Sequence, residues 1–455
     1  MSRIAYSLSV TLLAGLSMVG CFHQSANYCP GVLNDNCQNL DASIDGPQHC
    51  TSNQQCMAPG LAICDITASM TCVQCTTAMP AACTGVTPVC GGDDACRACT
   101  AHAQCTSAAC LPNGACGDDT NVAYVAPAPA GTDNMFCTKE MPCTTVAKAL
   151  ATARPFVKFT GTTDEPVTLQ SGRAVTFLAD PGALLTRGSG GAILTVRDDN
   201  TSLTIYDLSI SNAPNNVNGF GLVMSPGGAP TVALTRVTLD NDPGGGVSAG
   251  GGTLTINKSK ITNNNGGGIL ATGGTLTVAQ STVAVNRGGG ISASGANLTF
   301  DITNTFVFRN GDDSTSMFGG LNIGITAAGV NRLAFNTIVD NHALIGSGGV
   351  ICGLTTFMAP NNIVARNSLA GSTTNASAQV TAGGCTFPTS TIQPDLTGLA
   401  FVHPEVPGPF NYQLMAGSTA IDQATTPVPI DIDNKGVTRP QGPAKDIGAD
   451  EYKPQ

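Results

Sequence analysis

The chain of 455 residues contains no tryptophan and little charge: only 11% of its residues are charged, against roughly 25% in ordinary soluble domains. Its 20 basic and 30 acidic side chains leave a net charge of −10. Nucleic-acid binding requires clustered Lys and Arg, so this composition excludes a nucleic-acid partner. Glycine is abundant, with 54 residues, and glycine-rich stretches cannot sustain the long helices of a bundle. The apolar fraction of 42% is nevertheless sufficient for a folded core.

The N-terminus has the pattern of an export signal. Arg3 is followed by an uncharged stretch that is too short to span a membrane and that ends in small residues. We therefore predict a signal peptide over residues 1–20. The end of this stretch, with Gly20 before Cys21, resembles the lipobox of bacterial lipoproteins, in which the cysteine is acylated and becomes the mature N-terminus. This resemblance implies an exported protein attached to a membrane through Cys21, at the outer membrane or cell surface of a bacterium. An ordinary secretory signal with a nearby cysteine is the alternative.

Cysteine is concentrated in one segment, residues 21–121. Without Cys21, 18 cysteines remain, an even number that suits up to nine disulfides in an exported protein. Fourteen of them lie between Cys29 and Cys116 among few large apolar residues, so we predict a covalently stapled stalk whose connectivity stays open. The spacing resembles the short cysteine-rich repeats in the stalks of some bacterial surface proteins. A four-thiolate zinc site is the minority alternative, with the ligands Cys72, Cys75, Cys96 and Cys99.

Three consecutive segments begin with a glycine triplet, at Gly244, Gly266 and Gly288, so the repeat has a period of 22 residues. Apolar residues alternate within each segment, which is the period of a β-strand. One short coil cannot bury its own apolar residues, whereas stacked coils share continuous apolar columns, so the period predicts a solenoid. One predicted column contains Leu203, Val232, Leu254, Leu276 and Leu298, and a second contains Ile205, Leu234, Ile256, Val278 and Phe300.

Asparagine recurs at the end of the second strand of these units. Its amide both donates and accepts hydrogen bonds, so stacked asparagines can bond to one another along the solenoid. The glycine triplets that follow supply positive φ at a sharp turn. We therefore predict an asparagine ladder formed by Asn241, Asn264, Asn286, Asn310, Asn341 and Asn367, with Asn212 before it.

The repeat resembles that of the right-handed parallel β-helix proteins, the pectate-lyase-like superfamily. The resemblance implies an all-β fold over residues 137–400, in which consecutive coils pair in parallel at roughly 4.7–4.9 Å. A β-sandwich with accidental repetition is the alternative, and the two equal spacings of 22 residues disfavour it.

The segment before the solenoid has two distinct parts. Residues 122–136 include the run Ala-Pro-Ala-Pro-Ala, which predicts a stiff, extended linker. Residues 142–154 have helical spacing, with threonine at the start and Pro155 after the end, and they resemble the short capping helix that opens many β-helix proteins. We expect Cys137 and Cys143 to pair across the entrance of this helix.

The C-terminal residues 401–455 closely resemble the choice-of-anchor Q module of bacterial surface β-helices. The matching positions are Ala420, Ile421, Asp422, Asp433, Gly436, Arg439, Asp446, Ile447, Gly448, Ala449 and Glu451. Arg439 stands between acidic residues, which predicts an ion-paired cap on the last coil in which Arg439 meets Asp433 and either Asp446 or Glu451.

Two further features of this half concern metals and disulfides. Residues 431–436 loosely resemble a calcium loop, but Lys435 stands where the third oxygen ligand belongs, so calcium is a minority alternative and we predict no cofactor. Cys352 and Cys385 are a candidate disulfide between two late turns.

The resemblance to pectate-lyase-like enzymes implies a groove on one face that acts on polyuronides, either through carboxylates that hold calcium with a base or through clustered aspartates. The outward positions beside the core leucines are almost uncharged, so they offer hydrogen bonds and no group that transfers protons near neutral pH. These positions are Thr253, Thr255 and Asn257, then Thr275, Thr277 and Ala279, then Asn297, Thr299 and Asp301.

The best candidate for a catalytic cluster lies in one longer unit. The 31 residues from Asn310 to Asn341 leave room for a loop, and loops carry function. The interpretation that we favour is a polar turn with a surface histidine. The candidate residues are Arg309, Asp312, Asp313, Asp340 and His342.

The sequence thus predicts a surface-anchored lipoprotein whose β-helix binds a polysaccharide or another cell-surface component without catalysis. The alternative is a polysaccharide lyase or glycoside hydrolase that acts on polyuronides. A purely structural component of the envelope is a third, weaker hypothesis.

Overall fold

In the computed structural model, residues 49–214, 218–329, 331–353, 356–381, 383–405 and 407–454 are described. Their main body is a parallel β-helix. Over most of its length, each turn of the chain contributes one short strand to each of three sheets, and consecutive turns pair in parallel and in register. The prediction of an all-β parallel β-helix is thereby confirmed. The predicted signal peptide and Cys21, Cys29 and Cys37 lie outside the described residues.

The three sheets, called A, B and C, alternate along the chain in that order. Sheet A consists of Val122–Val125, Phe156–Phe159, Ala174–Ala179, Ser202–Tyr206, Thr231–Thr235, Thr253–Asn257, Gly274–Ala279, Leu298–Thr303 and Arg332–Ala334. Sheet B consists of Thr162–Asp164, Leu184–Thr186, Ser209–Ser211, Thr238–Asp240, Lys260–Thr262, Thr282–Ala284, Phe306–Phe308, Thr337–Val339, Ile363–Ala365 and Thr391–Gln393. Sheet C consists of Val167–Leu169, Leu194–Val196, Phe220–Met224, Gly245–Ala249, Ile269–Ala271, Ile291–Ala293, Leu321–Ile323 and Val350–Cys352.

Short elements complete the described structure. The α-helix is Val146–Ala151, and 3-10 helices lie at Asn53–Gln55, Pro80–Ala82 and His102–Gln104. Antiparallel pairs join Ile63–Cys64 to Cys72–Val73, Val89–Cys90 to Cys96–Arg97, and Phe401–His403 to Asn411–Leu414. Parallel pairs join His342–Ala343 to Ser368–Leu369, and Phe357–Met358 to Cys385–Thr386.

The interior of the β-helix is filled by aliphatic columns. Leu203, Val232, Leu254 and Leu276 pair from turn to turn and are at most 1% exposed. Burying a side chain of this size stabilises a fold by about 1.5–3 kcal/mol. Each member packs on the turns above and below it, so no turn buries its apolar residues without its neighbours.

The predicted columns are wrong at their last member. Leu276 pairs with Phe300, whereas Leu298 pairs with Gly274. The reason is a longer turn between sheets C and A. Leu276 is the fifth residue after Ala271, whereas its partner Phe300 is the seventh residue after Ala293. This strand is therefore shifted by two residues relative to the prediction.

A ladder of buried amides follows sheet B. Asn264, Asn286, Asn310, Asn341 and Asn367 are fully buried, and the Nδ2 atom of each of the first four donates to Oδ1 of the next at 2.8–2.9 Å. Each such Oδ1 also accepts the backbone N–H of the preceding rung, as Asn286 does from Asn264 at 3.1 Å. The ladder therefore satisfies backbone groups that the turn would otherwise bury without partners.

Asn241 and Asn212 are not rungs of this ladder, which corrects the prediction. They occupy the left-handed backbone position one residue earlier, with φ of 58° and 63°. Asp242 takes the rung instead, and its backbone N–H donates to Asn264 Oδ1 at 2.9 Å. Asparagine is favoured both at left-handed positions and in the ladder, so sequence alone did not distinguish the two.

A second polar ladder, which sequence reasoning missed, follows sheet A. The backbone N–H of Ser259 donates to Ser281 Oγ at 3.2 Å. Two turns further on, asparagines replace the serines, and Asn336 Nδ2 donates to Asn362 Oδ1 at 3.0 Å. The separation of 22 residues between Ser259 and Ser281 was the available signal.

The predicted linker is wrong at its first residues. Val122–Val125 is a strand of sheet A that pairs in parallel with Phe156–Phe159, and Val122, Ala123 and Val125 are fully buried. The proline-containing run comes only after this strand. The β-helix therefore begins at Val122 rather than at residue 137, because these apolar residues complete the first turn of its core.

The helix Val146–Ala151 covers the first turn. Thr145 precedes it, and its Oγ1 atom accepts a hydrogen bond from the backbone N–H of Lys148 at 3.3 Å, as an N-terminal cap does. Val146 and Ala149 are buried in the core. The structure joins Cys137 to Cys143 before this helix.

The described part of the cysteine-rich segment, from Cys50 to Cys116, consists of three repeats of four cysteines, and in each repeat the first bonds the third and the second bonds the fourth. The pairs are Cys50–Cys64 and Cys56–Cys72, then Cys75–Cys90 and Cys83–Cys96, then Cys99–Cys110 and Cys105–Cys116. The two Cys-x-x-Cys motifs are junctions between repeats, so all four cysteines of the zinc alternative are in disulfides and that alternative is wrong. A repeat junction and a thiolate ligand pair have the same local sequence.

The C-terminal segment lies along the flank of the β-helix, and not over its last coil as predicted. It packs on outward side chains of sheet B that are apolar in the late turns, whereas Lys260 and Thr262 hold the same positions earlier. These apolar residues need burial, and the segment supplies it. The cluster contains Phe306, Val339, Ile363 and Ala365 from the β-helix and Leu399, Phe401, Tyr412, Leu414, Ala420, Ile447 and Ala449 from the segment.

Candidate functional site

A row of hydroxyl side chains, here called the hydroxyl row, covers the outward face of sheet A. Its members are all at least partly exposed, and successive turns place them about 4.8 Å apart. Thr275 Oγ1 lies 3.2 Å from Thr299 Oγ1. The face therefore presents hydrogen-bond donors and acceptors at regular spacing. The row consists of Ser202, Thr231, Thr253, Thr275 and Thr299, flanked by Thr204, Thr255 and Thr277.

The two-residue shift changes the end of the hydroxyl row. Asn297 lies in the turn before the strand, and Asp301 rather than Thr299 pairs with Thr277. Asp301 accepts a hydrogen bond from Arg332 Nε at 2.8 Å on the next turn. The charge at this end of the face is therefore compensated.

Among the five candidate catalytic residues, Asp313 and His342 are in contact with each other. Asp313 Oδ2 lies 3.2 Å from His342 Nδ1. The Ser368 hydroxyl donates to Asp313 Oδ1 at 2.6 Å and lies 2.8 Å from the same histidine nitrogen. Because Nδ1 faces Asp313, Nε2 is the ring nitrogen left to accept a proton. Ser368 is only 3% exposed, so it orients the pair rather than offering a reactive hydroxyl.

Asp312 is held in a tight turn beside Arg287. Its Oδ2 atom lies 2.9 Å from Arg287 Nε and accepts from the Thr315 hydroxyl at 2.7 Å. These hydrogen bonds, that of Thr315 first, hold the pKa of Asp312 well below its usual range. Asp312 is therefore ionised at neutral pH and cannot act there as a general acid.

Arg309 and Asp340 belong to the interface with the C-terminal segment. Asp340 is 6% exposed and accepts two hydrogen bonds from Arg366, at 2.5 and 2.9 Å, and one from the Tyr412 hydroxyl. The Arg309 guanidinium stacks on the ring of Phe410 at 4.0 Å. Asp340 and His342 lie on either side of the buried rung Asn341 and contact different parts of the chain. The five predicted residues therefore occupy three separate places.

Arg439 and Glu451 form a buried ion pair in the C-terminal segment. Arg439 Nη1 lies 2.9 Å from Glu451 Oε2, and both side chains are at most 1% exposed. Asp433 Oδ2 accepts the backbone N–H of Glu451 at 3.0 Å, and burial raises the pKa of Asp446 to about 6. Of the acidic residues that the sequence offered, Glu451 is the direct partner of Arg439. The guanidinium also stacks on Phe335 of the β-helix at 4.7 Å, which ties the segment to the flank.

In the described part of the chain, the side-chain atoms of the candidate metal sites already have partners. Within the described ranges, three groups of cysteine sulfurs lie close together, and every one of these sulfurs is in a disulfide. In the segment that resembles a calcium loop, Asp431 pairs with Lys445 at 2.9 Å. Asp433 Oδ1 accepts the backbone N–H groups of Lys435 and Val437, at 2.8 and 2.7 Å.

A cleft of about 760 Å³ lies between the third cysteine repeat and sheet A, and sequence reasoning missed it. Its polar lining includes His102, Asp180, Asp207 and Arg236, with the ring of Tyr206 beside them. These residues come from two distant stretches, 99–112 and 178–236. No local motif connects the two stretches, so only the docking of the cysteine repeat on the β-helix brings them together.

Comparison with known proteins adds no family and no function to what the geometry shows. No protein-family model matches the chain, and no curated protein is significantly similar to it. Among solved structures, it is similar to the crystal structure of pectate lyase Pel9A, with a TM-score of 0.49 and 16% identity, over 74% of this chain and 98% of that chain. The strand register described above, rather than this similarity, establishes the parallel β-helix.

Proposed function

We propose that this protein is an exported lipoprotein, anchored through Cys21, whose β-helix binds a neutral polysaccharide along the hydroxyl row without catalysis. The observation that supports it is the row itself: a face of hydroxyl groups, repeated at about 4.8 Å over five turns, with the charge of Asp301 at its end paired with Arg332. Such a face matches a ligand that is itself a repeating array of hydroxyl groups. It has no proton-transferring group among its members.

Export is supported by the disulfides. The described residues contain eight, and disulfides form and persist in oxidising compartments. Within the same part of the chain, no helix has the length and apolar character needed to cross a membrane. The lipid anchor rests on the lipobox resemblance around Cys21, a residue outside the described structure. Mass spectrometry of the mature N-terminus tests it: an unmodified residue at that terminus, or membrane retention in Cys21→Ala, would overturn the anchor.

The assignment of the C-terminal segment to the choice-of-anchor Q type is also a proposal. It rests on the sequence resemblance, and the buried pair of Arg439 with Glu451 supports it by giving two of the matching positions a role in packing. In this protein the segment would serve to cover the apolar flank of sheet B.

Binding along the hydroxyl row is tested with purified envelope polysaccharides and a glycan array. The double variant Thr255→Lys/Thr277→Lys places two long cationic side chains on the face at outward, partly exposed positions, and surface substitutions usually change stability by no more than about 0.5 kcal/mol. We expect at least a tenfold loss of affinity. The matched control, Thr238→Lys, alters an outward threonine of sheet B and should bind as the wild type does. Absence of any binding, or equal binding by the double variant, would overturn the proposal.

A second candidate function, a polyuronide lyase or hydrolase, is favoured by one specific observation. Asp313 orients the His342 ring so that Nε2 is available as a base. Incubation with polyuronides, followed by detection of unsaturated or reducing ends, separates the two functions. Activity that is lost in His342→Gln and Asp313→Asn, and kept in the control Asp312→Asn, would replace the binding proposal with the catalytic one.

A further inference from the structure

We infer that the cleft between the third cysteine repeat and sheet A binds the terminal sugar unit of a neutral glycan that lies along the side of the hydroxyl row formed by Thr204, Thr255 and Thr277. The inference rests on the proposed function and adds to it a second site and the part of the ligand that this site takes. It follows from three properties of the cleft: its rigid walls, its balanced charge and its position at the end of a line of outward residues that runs beside the hydroxyl row.

The walls of the cleft are rigidly joined. The Tyr124 hydroxyl, on the first strand of sheet A, donates to the Ser107 carbonyl of the third repeat at 2.8 Å. Lys139 Nζ donates to the Thr106 carbonyl at 2.6 Å. Leu111 of the repeat packs in one apolar cluster with Tyr124 and Leu178 of the β-helix. A volume of about 760 Å³ between such fixed walls is typical of a preformed small-molecule site.

The charges that line the cleft cancel in pairs. Asp207 accepts two hydrogen bonds from Arg236, at 2.6 and 2.8 Å. Asp180 lies 2.5 Å from Lys158 Nζ, and Lys158 is almost completely buried. A charged ligand would bring into the cleft a charge for which no unpaired partner remains, so this balance of charges favours a neutral ligand.

His102 adds no charge to this balance. Its Nδ1 atom accepts the backbone N–H of Cys110 at 3.0 Å, which makes the ring part of the repeat's own structure. Burial, with the positive charge of Lys158, lowers the pKa of His102, so the ring is neutral at pH 7.

The remaining lining has the composition that a pyranose requires. Each carboxylate oxygen has a lone pair beyond its ion-pair contact, so Asp180 and Asp207 can each accept a hydrogen bond from a sugar hydroxyl. The Tyr206 ring, Leu111 and Pro112 provide apolar surface for the C–H face of the sugar.

The position of the cleft favours binding of the end of a glycan. Tyr206 pairs with Thr235, and Thr235 with Asn257, so the cleft lies at the end of a line of outward residues two positions along the strands from Thr204 and Thr255 of the hydroxyl row. On the other side of Tyr206 the same line of outward positions is covered, since Leu178 and Tyr124 are buried beneath the cysteine repeat. A glycan that follows the stack axis along the face therefore stops in the cleft.

The test uses the full-length oxidised protein and a substitution that fills the cleft. Ala103 is the exposed middle residue of the 3-10 helix His102–Gln104 and lines the cleft, so Ala103→Trp obstructs it without removing a contact. The matched control is Ala81→Trp, at the exposed middle residue of the equivalent helix Pro80–Ala82, which does not line the cleft. A second variant, Asp207→Asn, keeps the shape of the side chain and removes its charge.

Binding is measured by calorimetry with linear hexasaccharides of β-1,4-glucan, β-1,4-mannan and α-1,4-glucan, and with cyclic α-1,4-glucan, which has no chain end. We expect Ala103→Trp to weaken binding of the preferred hexasaccharide at least tenfold, Asp207→Asn to weaken it measurably, and Ala81→Trp to leave it unchanged. The cyclic glucan should not bind.

The outcomes separate this inference from the proposed function. If binding is lost in Thr255→Lys/Thr277→Lys and unaffected by Ala103→Trp, or if the cyclic glucan binds as well as a linear one, the cleft site is wrong and the face binding stands. If the wild-type protein binds neither the hexasaccharides nor the polymers, the proposed function is overturned and the cleft site with it.

Discussion

The backbone N–H of Asp242 donates to Asn264 Oδ1 at 2.9 Å, which makes Asp242 the terminal rung of the buried amide ladder. In the next rung, Asn264 Nδ2 donates to the Leu239 carbonyl of the preceding turn and to Asn286 Oδ1. Asp242 has an oxygen in place of that donor, and within the described structure its Oδ2 atom is buried without a hydrogen-bond partner. Burial accordingly raises the pKa of Asp242 to about 8.

The raised pKa predicts a pH-dependent stability that Asp242→Asn removes. Between about pH 4 and pH 8 the folded protein holds a proton on Asp242 that the unfolded chain has lost, so the free energy of unfolding falls as pH rises, by about 1.4 kcal/mol per pH unit from this group. The amide variant carries the missing donor and does not titrate. We expect it to be more stable than the wild type, with a difference that grows from pH 5 to pH 8 in denaturant titrations with intact disulfides. A constant difference across that range would contradict the prediction.

Removing an interior rung should be costly. Asn310 donates to the Val283 carbonyl and to Asn341 Oδ1, and its own Oδ1 accepts from Asn286. Asn310→Ala leaves these buried groups without partners, and we expect a loss of about 2–4 kcal/mol in the free energy of unfolding. The matched control is Asn241→Ala, at a surface position outside the ladder, which should cost less than about 1 kcal/mol. Similar losses in the two variants would show that Asn241 is a rung after all.

The buried ion pair should hold the C-terminal segment on sheet B. Glu451→Ala leaves Arg439 buried without its carboxylate, so we expect a loss of about 3–5 kcal/mol and faster proteolysis after residue 400. Asp431→Ala removes the exposed partner of Lys445 and serves as the control, with a change below about 1 kcal/mol. Limited proteolysis with mass spectrometry identifies the cleavage sites. Protection equal to that of the wild type in Glu451→Ala would mean that apolar packing alone holds the segment.

The glycine triplets should be required where neighbouring turns approach most closely. A Cβ atom on Gly266 would lie 2.0 Å from the carbonyl oxygen of Gly244 on the preceding turn. Gly266→Ala must therefore separate the two turns, and we expect a loss of about 3 kcal/mol or more and a lower yield of folded protein. Gly92→Ala, where no atom lies within 4 Å of the added carbon, is the control. Equal thermal unfolding temperatures for the two variants would refute the close approach.

Some features of the fold could be predicted from the sequence because they repeat. Leu254 and Leu276 are separated by 22 residues and do share a column, since equal spacing in sequence becomes equal position in a solenoid. The same rule failed at Leu298, where a turn between two strands is two residues longer. It also failed at Asn241, because a left-handed turn position and a ladder position favour the same residue.

The candidate sites were harder to predict than the columns. Asp313 and His342 are 29 residues apart and meet because consecutive turns stack, which the repeat made foreseeable. Asp340 was grouped with them on the same reasoning, yet its side chain faces Arg366 and Tyr412 under a segment whose path no repeat describes. The walls of the cleft, at His102 and Arg236, share neither a motif nor a period.

The sequence by itself determined the coiled architecture and its dry interior, because alternation and period are properties of neighbouring residues and of the water they avoid. Only the tertiary structure decided what lies against the outside of the coils. The cysteine repeat docks beside Tyr124 and the C-terminal segment beside Phe335, and each contact joins residues from non-repeating parts of the chain. Such contacts depend on the matching of shapes and charges between distant surfaces, which no local pattern encodes.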